Sequence, residues 1–269
     1  MTIAFIGAGN MAISLIRGLL SNGMSTADLI AADPSDVQRA NAKGTGIRTE
    51  ADNNIAISEA DIIVVAVKPQ IAGQVLKSLN TIKGTQLVIS VAAGIGLESL
   101  QSWLPAGHPI GRCRPNTPAL GGAGMTGLYA NEQVKPEHRE AAERVLEAAG
   151  AVVWVPSEGL LDAVTAVSGS GPAYFFLLME YMAKTGTALG LDADTSRMLT
   201  LQTALGAALM AQRSTEPLAN LRQNVTSPGG TTEAAINTML AHGMPEAIES
   251  ALQAAQQRSI QLAKEFGNP

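Results

Sequence analysis

The feature that most constrains the fold is a glycine loop near the start of the chain. The sequence GAGNMA, residues 7–12, follows the apolar run IAFI and opens a segment whose apolar residues have helical spacing. This is a G-x-G-x-x-A loop in the strand-to-helix context of dinucleotide-binding folds. Gly7 permits the tight turn, Gly9 lets a pyrophosphate approach the backbone, and Ala12 lets helix and strand pack closely. The alternative is a plain tight turn, but the flanking strand and helix favour a nucleotide site.

Strand and helix patterns alternate through the first half of the chain. Four further runs are rich in β-type residues: DLIAAD, DIIVVAV, QLVISVAAG and GAVVWVP. The run DIIVVAV is apolar on both faces, as expected of a strand buried in a parallel sheet. Helical patterns separate these runs, and such alternation predicts a doubly wound, mostly parallel sheet. We therefore expect an α/β Rossmann domain over residues 1–157.

The second half of the chain predicts helices alone, since no strand pattern follows Pro156. The expected helical stretches are Gly159–Val167, Ala173–Leu189, Asp194–Arg213, Thr231–Ala241 and Glu246–Glu265. The third of them is apolar around most of its circumference, which indicates burial on several sides. Residues 158–269 are too few to bury such helices alone. We therefore expect an all-α domain that packs against a second subunit.

Composition excludes several classes of protein. The net charge is −5 and the sequence has no basic cluster, which argues against a nucleic-acid partner. The single cysteine, Cys113, excludes an internal disulfide and fits a reducing cytoplasm. No apolar run approaches the roughly 20 residues of a membrane helix, and the chain starts with strand and turn rather than a signal peptide. No spacing of histidines or carboxylates predicts a metal site. We expect a cytoplasmic protein.

Residues at the ends of the predicted strands are candidates for contact with a dinucleotide. Asp33 ends the second strand, where a carboxylate normally bonds the ribose hydroxyls of NAD and repels the 2′-phosphate of NADP. Alternatively, the sequence DPSD is a turn that Asp33 caps, and Ser35 and Arg39 are then placed to bind a phosphate. Lys68 follows the strand DIIVVAV, at the edge where open α/β sheets bind ligands. A surface lysine is the alternative interpretation there.

The sequence offers no obvious general acid or base. The three histidines are His108 in a loop with proline and glycine, His138 in a charged helix, and His242 at a helix end. We expect each of them to be structural. A cyclic imine is a substrate that fits this inventory, because its nitrogen can arrive already protonated. The protein would then supply orientation and hydrogen bonding rather than proton transfer.

Two stretches of the second half closely resemble the signatures of pyrroline-5-carboxylate reductases. They are AVSGSGPAYFFLLMEYM, residues 166–182, and NVTSPGGTTEAAI, residues 224–236. FIGAGNMA, AVKPQ, VAAGI and RPNTPAL resemble the cofactor-side motifs of that family, and all six occur in the family's order. The resemblance implies reduction of 1-pyrroline-5-carboxylate to L-proline by NADPH or NADH, the last step of proline biosynthesis. It also implies a helical dimerisation domain, with dimers often assembled into a larger ring such as a decamer.

The loop VTSPGGTTEA, residues 225–234, interrupts the helices of the second half. Gly229 and Gly230 are expected to expose N–H groups at the start of the next helix, which would form a carboxylate site. Glu233 suits the dipole of that helix but is expected to point away from the anion. A plain helix cap is the alternative interpretation.

The resemblance assigns roles to residues around this loop. By that resemblance, residues 227–232, including Ser227, receive the substrate, and the Thr232 hydroxyl bonds the ring nitrogen. Asn224 and Thr231 help to hold the carboxylate, and Glu158 lines the pocket. The pocket of the resembling proteins also includes helices of the partner subunit, so the monomer is expected to be inactive.

The residues assigned to the coenzyme come from the glycine loop, the strand ends and the matching motifs. They are Ile6, Gly7, Ala8, Gly9, Asn10, Met11, Asp33, Pro34, Ser35, Asn53, Ala66, Val67, Lys68, Pro69, Ala92, Ala93, Gly94 and Asn116. Because the resembling proteins generally accept NADPH, we expect NADPH first, while Asp33 weighs toward NADH. Arg114 departs from the family, which often has Met there. It is either an added cation near the phosphates or substrate, or an exposed residue.

Two rival functions remain on the sequence alone. A β-hydroxyacid dehydrogenase has a similar architecture but uses a catalytic lysine in the second domain. Lys184 is the only lysine in the corresponding region, and it lies away from SGSGPAY. A non-catalytic sensor that binds a dinucleotide or pyridoxal phosphate is the other rival, and the intact pair Thr231-Thr232 argues against it.

Overall fold

The computed structural model describes residues 1–267 and divides into two compact units. The first unit consists of residues 1–170 together with the chain from Ala254 onward, and the second consists of Gly171–Gln253. The domain boundary between residues 157 and 158 that the sequence indicates stays a prediction.

The first unit is built on one sheet of eight strands. The strands are β1 (Ile3–Ile6), β2 (Leu29–Ala32), β3 (Arg48–Glu50), β4 (Ile62–Val65), β5 (Leu87–Ser90), β6 (Ile110–Arg114), β7 (Gly124–Ala130) and β8 (Gly150–Trp154). Their order is β3-β2-β1-β4-β5-β6-β7-β8, and only the pair β6 and β7 is antiparallel. The expected mostly parallel sheet is confirmed.

The sheet is covered on both faces because its central strands are apolar on both faces. In β1, Ile3 and Phe5 belong to one buried cluster, whereas Ala4 and Ile6 belong to another. Successive side chains of a strand point to opposite faces, so each cluster is the core of one face. Helices supply the other half of each core, which is the doubly wound arrangement.

The long helices lie where the sequence pattern predicts them, whereas the helix at residues 218–224 was not predicted and the helix expected over Gly159–Val167 ends at Val164. They are α1 (Asn10–Ser21), α2 (Asp36–Lys43), α3 (Asn53–Ser58), α4 (Pro69–Lys77), α5 (Leu97–Trp103), α6 (Pro136–Glu147), α7 (Leu160–Val164), α8 (Gly171–Ala188), α9 (Ala193–Arg213), α10 (Leu218–Asn224), α11 (Thr231–Ala241) and α12 (Met244–Phe266). A π-helical turn at Thr165–Gly169 joins α7 to α8. None of the helices within residues 1–267 is long and apolar enough to cross a membrane.

Several elements escaped the sequence analysis. Strand β3 is short and carries the polar sequence RTE. Strand β6 has the sequence IGRCR and is buried along its whole length. Its two arginines make the sequence look polar, so the strand was not predicted. Strand β7 contains two glycines, which weaken a strand pattern. No strand follows β8 in the described part of the chain, as the sequence predicts.

The helices of the second unit carry large apolar side chains that the single chain leaves exposed. Phe175 and Phe176 on α8 are 63% and 64% exposed. Within the unit, α8 and α9 pack closely, since the Ser196 hydroxyl donates to the Ala183 carbonyl at 2.7 Å. Exposed apolar patches of this kind mark interaction surfaces.

His108, which lies before β6, gives a testable pH dependence of stability. The residue is buried, and burial lowers the pKa of its imidazole below the ordinary value of 6.5. As the pH falls, the unfolded state therefore binds this proton first, and the free energy of unfolding should decrease below about pH 6.5. Urea unfolding between about pH 5 and 8 should show this slope.

His108→Gln is expected to flatten that slope. His242→Gln, which replaces an exposed imidazole, serves as the matched control and should keep it. A slope that is unchanged in His108→Gln would show that another group controls the acid sensitivity.

Candidate active site

The carboxyl ends of the parallel strands form one edge of the sheet. Ile6, the last residue of β1, pairs with Ala32 of β2 and Val65 of β4, and Val65 in turn pairs with Ser90 of β5. The strand order reverses between β1 and β4, and open α/β sheets bind ligands at such a switch point. The predicted coenzyme residues at positions 6–11, 33–35, 66–69 and 92–94 follow these four strand ends.

The glycine loop is shaped for a group that lies directly against the backbone. Gly7 has φ +91°, and a Cβ there would lie 2.8 Å from the Ala66 carbonyl oxygen. A Cβ at Gly9 would meet no heavy atom within 4 Å, so the space above it is open. No side chain caps the N-terminus of α1, which leaves the first N–H groups of the helix for a ligand. These features fit the pyrophosphate of a dinucleotide.

Asp33 is held by the backbone on both sides of its carboxylate. Its Oδ2 accepts the Ala8 N–H and its Oδ1 accepts the Ser35 N–H, each at 2.9 Å. This arrangement supports the interpretation of Asp33 as a turn cap, and it also fastens β2 to the glycine loop. Each carboxylate oxygen keeps a further lone pair, so these two bonds leave acceptor capacity for a ribose hydroxyl.

A hydroxyl and a guanidinium lie beside Asp33 at the start of α2. Ser35 is the N-cap of α2, and its Oγ accepts the Gln38 N–H at 3.5 Å. The Arg39 guanidinium donates to the Asp33 carbonyl at 2.6 Å and pairs with Asp36. A cation and a hydroxyl at a helix N-terminus form a suitable place for a phosphate.

Other predicted coenzyme residues differ in what their side chains do. Lys68 is the N-cap of α4, has an exposed side chain, and precedes Pro69. Asn53 is the first residue of α3. The Asn116 amide is already engaged: its Oδ1 accepts the Met125 N–H at 2.9 Å, and its Nδ2 donates to the Ser168 carbonyl at 3.0 Å. Asn116 therefore links two backbone segments near the small-residue motif SGSG.

Glu158 is bonded to the start of α5. Its Oε1 accepts the Leu97 N–H at 2.7 Å and pairs with the Arg112 guanidinium. Arg112 is buried on β6, and its Nε has no hydrogen-bond partner. Sequence reasoning missed Arg112 because β6 was not recognised as a strand.

Arg114 is buried, so the interpretation of an exposed residue is wrong. Its guanidinium donates to the carbonyls of Ala92 at 2.8 Å and of Cys113 at 3.0 Å. Burial lowers the pKa of Arg114 to about 10, so the side chain keeps its charge at neutral pH. Burial also raises the pKa of the neighbouring Cys113 thiol to about 12.

The predicted substrate loop lies in the second unit and ends at the start of α11. Gly229 has φ +71°, a conformation that favours glycine. Its N–H donates to Glu233 Oε2 at 2.7 Å, and the Gly230 N–H donates to the Ser227 carbonyl at 3.0 Å. Two expectations are therefore wrong: the glycine N–H groups are not free, and Glu233 points back to the loop. The Gly230 N–H is used within the tight turn. The positive end of the α11 dipole attracts the Glu233 carboxylate to the Gly229 N–H.

The free donors of the loop come from the first turn of α11 instead. Gly230 is the N-cap, and no side chain caps the helix. The N–H groups of Thr231 and Thr232 therefore precede the first intrahelical bond, which Ala234 donates to the Gly230 carbonyl. Both threonines are exposed, and Asn224 nearby in the chain donates to Glu216 at 3.1 Å.

Lys184 and His242 each contact a group on their own helix. Lys184 is exposed and pairs with Glu180 one turn away on α8. His242 lies at the C-terminal end of α11, where its Nδ1 is 2.8 Å from the Thr238 carbonyl. Within the described residues, no group of three or more His, Cys, Asp or Glu side chains could hold a metal ion.

Fold and glycine loop together define a class of protein. A doubly wound sheet with an uncapped, glycine-opened helix at its switch point is the architecture of dinucleotide-binding proteins, and nicotinamide-dependent oxidoreductases are one class of them. The family model described as "NADP oxidoreductase coenzyme F420-dependent" matches residues 2–94. The model described as "Pyrroline-5-carboxylate reductase dimerisation" matches residues 158–262.

Relatives narrow the class to one family. The chain is 51% identical over 267 residues to the pyrroline-5-carboxylate reductase of Pseudomonas aeruginosa, with 98% of each chain covered. The chain belongs to the pyrroline-5-carboxylate reductase family, as the motifs indicate. This assignment removes the β-hydroxyacid dehydrogenase as a rival.

Solved structures agree with this assignment. The pyrroline-5-carboxylate reductase of Coxiella burnetii has a TM-score of 0.92 and 39% identity, covering 100% of this chain and 99% of its own. The pyrroline carboxylate reductase of Plasmodium falciparum, solved with NADP bound, has a TM-score of 0.86 and 29% identity, with 98% of each chain covered.

Proposed function

We propose that this protein reduces 1-pyrroline-5-carboxylate to L-proline with NADPH, the last step of proline biosynthesis. The carrying observation is the pair of uncapped helix N-termini, one behind Gly9 on α1 and one at Thr231 on α11. The first suits a pyrophosphate and the second suits a small carboxylate. Relatives of the chain are named as pyrroline-5-carboxylate reductases.

The residues of the second unit have separate tasks in this proposal. The first-turn N–H groups of Thr231 and Thr232 hold the substrate carboxylate, with Ser227 and Asn224 beside them. The Thr232 hydroxyl accepts the N–H of the protonated ring and so fixes which face of the imine is presented. Because the imine arrives protonated, no side chain has to deliver a proton before reduction.

The residues of the first unit hold the coenzyme, which supplies a hydride to the imine carbon when bound. Gly7 and Gly9 let the backbone reach the pyrophosphate, and α1 contributes its positive end. We propose NADPH as the preferred form because the Ser35 hydroxyl and the Arg39 guanidinium lie at the start of α2, beside the turn that Asp33 caps. Ser35 and Arg39 then meet the 2′-phosphate.

Coenzyme oxidation tests the proposal directly. Purified protein is mixed with 1-pyrroline-5-carboxylate, and the loss of NADPH or NADH is followed by absorbance in parallel reactions. We expect turnover with both coenzymes and a higher kcat/KM with NADPH. A folded, dimeric protein that binds NADPH tightly but turns over neither would defeat the reductase and favour the dinucleotide-binding sensor.

We further propose that the active form is a homodimer, assembled into a larger ring, in the cytoplasm. The exposed phenylalanines of α8 support the dimer, because a monomer would leave these apolar side chains in water. The match to a dimerisation model over residues 158–262 supports it as well.

Phe176→Glu should break the dimer and reduce activity together. A carboxylate placed in an apolar interface must be desolvated without a partner. We therefore expect the dissociation constant of the dimer to increase by at least about tenfold. Sedimentation velocity across a dilution series, with activity measured on the same samples, checks this. Val153→Glu, at a residue that is 42% exposed on the edge strand β8, is the control and should leave both unchanged. Full activity in a monomeric Phe176→Glu protein would contradict the proposal.

A further inference from the structure

The segment from Ala92 to Gly96 is held at its start by Arg114 of β6 and, just beyond its end, by Glu158. Arg112 and Arg114 lie two residues apart on this strand, so their side chains share one face. Arg114 donates to the Ala92 carbonyl at the start of the segment. At its end, Glu158 accepts the Leu97 N–H and pairs with Arg112. Each guanidinium is less than 10% exposed.

The same segment is enclosed from another side by the end of α12. Gly94 has φ +74°, and a Cβ there would lie 3.1 Å from both the Leu262 carbonyl oxygen and a ring carbon of Phe266. The backbone of Gly94 is therefore in close contact with this helix.

The position of this segment relates it to one half of a dinucleotide. A dinucleotide lies across the switch point of a doubly wound sheet, with its two halves on opposite sides. The adenosine side is the β2 side, where Asp33, Ser35 and Arg39 lie. The nicotinamide half then extends toward β4, β5 and β6, and Ala92 follows the end of β5 on that side.

We propose that Arg114 is a coenzyme-positioning residue that holds the Ala92 carbonyl and thereby fixes the backbone against the nicotinamide half of the coenzyme. This inference rests on the proposed function. Methionine, which the resembling proteins often have at this position, has no N–H to donate. The buried charge of Arg114 interacts with the guanidinium of Arg112 and with the carboxylates of Glu158 and Asp162.

Two dinucleotide probes separate positioning from general stability. NADP+ carries both halves of the coenzyme, whereas 2′-phospho-ADP-ribose lacks only the nicotinamide. Titration calorimetry with both probes is carried out on the wild-type protein and on Arg114→Met, Arg114→Lys and Arg144→Met. Arg144 is an exposed residue near the end of α6 and provides the matched control.

Arg114→Met should weaken NADP+ binding by about tenfold, since one charge-assisted hydrogen bond that orders the segment is lost. Binding of 2′-phospho-ADP-ribose should change by less than about twofold, because the adenosine side keeps its contacts. Arg114→Lys keeps one donor and the charge, so it should restore part of the NADP+ affinity. Arg144→Met should bind both probes as the wild type does.

Equal weakening of both probes in Arg114→Met would show that Arg114 only stabilises the fold, and unchanged NADP+ binding would show that the tie is not needed. If Arg114→Met does not fold, Arg114→Lys is used in its place. A selective loss of NADP+ affinity in Arg114→Lys supports the proposal. Wild-type affinity for both probes, or an equal loss for both, overturns it. Binding requires no turnover. Selective loss of NADP+ in a protein that does not reduce the imine would therefore keep the role of Arg114 and reject the proposed reaction.

Discussion

Thr232→Ala is expected to lower kcat for imine reduction by about 100-fold, the size of effect seen when one hydrogen bond to a reacting group is removed from a preorganised site. Thr232 is the second residue of α11, in the unit that does not contain the glycine loop. Its loss should therefore leave NADP+ affinity within about twofold of wild type. Steady-state kinetics with saturating NADPH, together with NADP+ titration, measure the two quantities separately.

Two further variants make this result specific. Thr232→Ser keeps the hydroxyl and should recover most of kcat. Thr238 lies on the same helix, and its hydroxyl donates to the Ala234 carbonyl at 2.9 Å. Thr238→Ala removes this hydroxyl and should have little effect on kcat. An unaltered rate in Thr232→Ala would remove Thr232 from the mechanism.

Arg39→Ala is expected to raise the KM for NADPH by about 10- to 100-fold, because a charged hydrogen bond to a phosphate is lost. The KM for NADH should change by less than about threefold, since NADH has no 2′-phosphate. The ratio of kcat/KM for the two coenzymes, measured under identical conditions, reports the change. Arg39 also bonds the Asp33 carbonyl, so a uniform effect on both coenzymes would show that it acts only through the turn.

Lys43→Ala is the matched control for this experiment. Lys43 lies in the last turn of the same helix and is exposed, so the variant removes one positive charge without touching the helix start. We expect the preference for NADPH to stay unchanged. A loss of preference equal to that of Arg39→Ala would show that the net charge of α2, rather than contact with Arg39, selects the coenzyme.

The sequence predicted what depends on local periodicity. The glycine loop, strands β1, β2, β4, β5 and β8, and the long helices of the second half all follow from hydrophobic spacing and turn residues. The same reasoning missed β6, because IGRCR looks polar although Arg112 and Arg114 are buried in the sheet. Burial of an arginine depends on partners far away in sequence, such as Glu158 and the Ala92 carbonyl.

The candidate site shows the same division. The motifs assigned the loop residues 227–232 and the residues around the glycine loop. They left open whether Asp33 faces a ribose or a turn, and only its bonds to the Ala8 and Ser35 N–H groups favour the turn. The free N–H groups of the substrate loop were assigned to Gly229 and Gly230, but Glu233 and Ser227 occupy those two donors. Glu233 lies only four residues from Gly229, but whether its carboxylate reaches that N–H depends on the backbone conformation of the loop.

By itself, then, the sequence determined the family, the doubly wound sheet and the helical second half, because periodicity and glycine positions act over a few residues. The tertiary structure decided which polar groups are already bonded and which are free. The sequence identifies several polar groups but does not show which partners they bind: Asp33, Glu158, Arg114 and the glycine N–H groups. Folding brings the partners of Glu158 and Arg114 from distant strands, and it sets the backbone conformation that joins Gly229 and Gly230 to nearby residues. Hydrogen bonds at about 3 Å then determine what remains for a ligand.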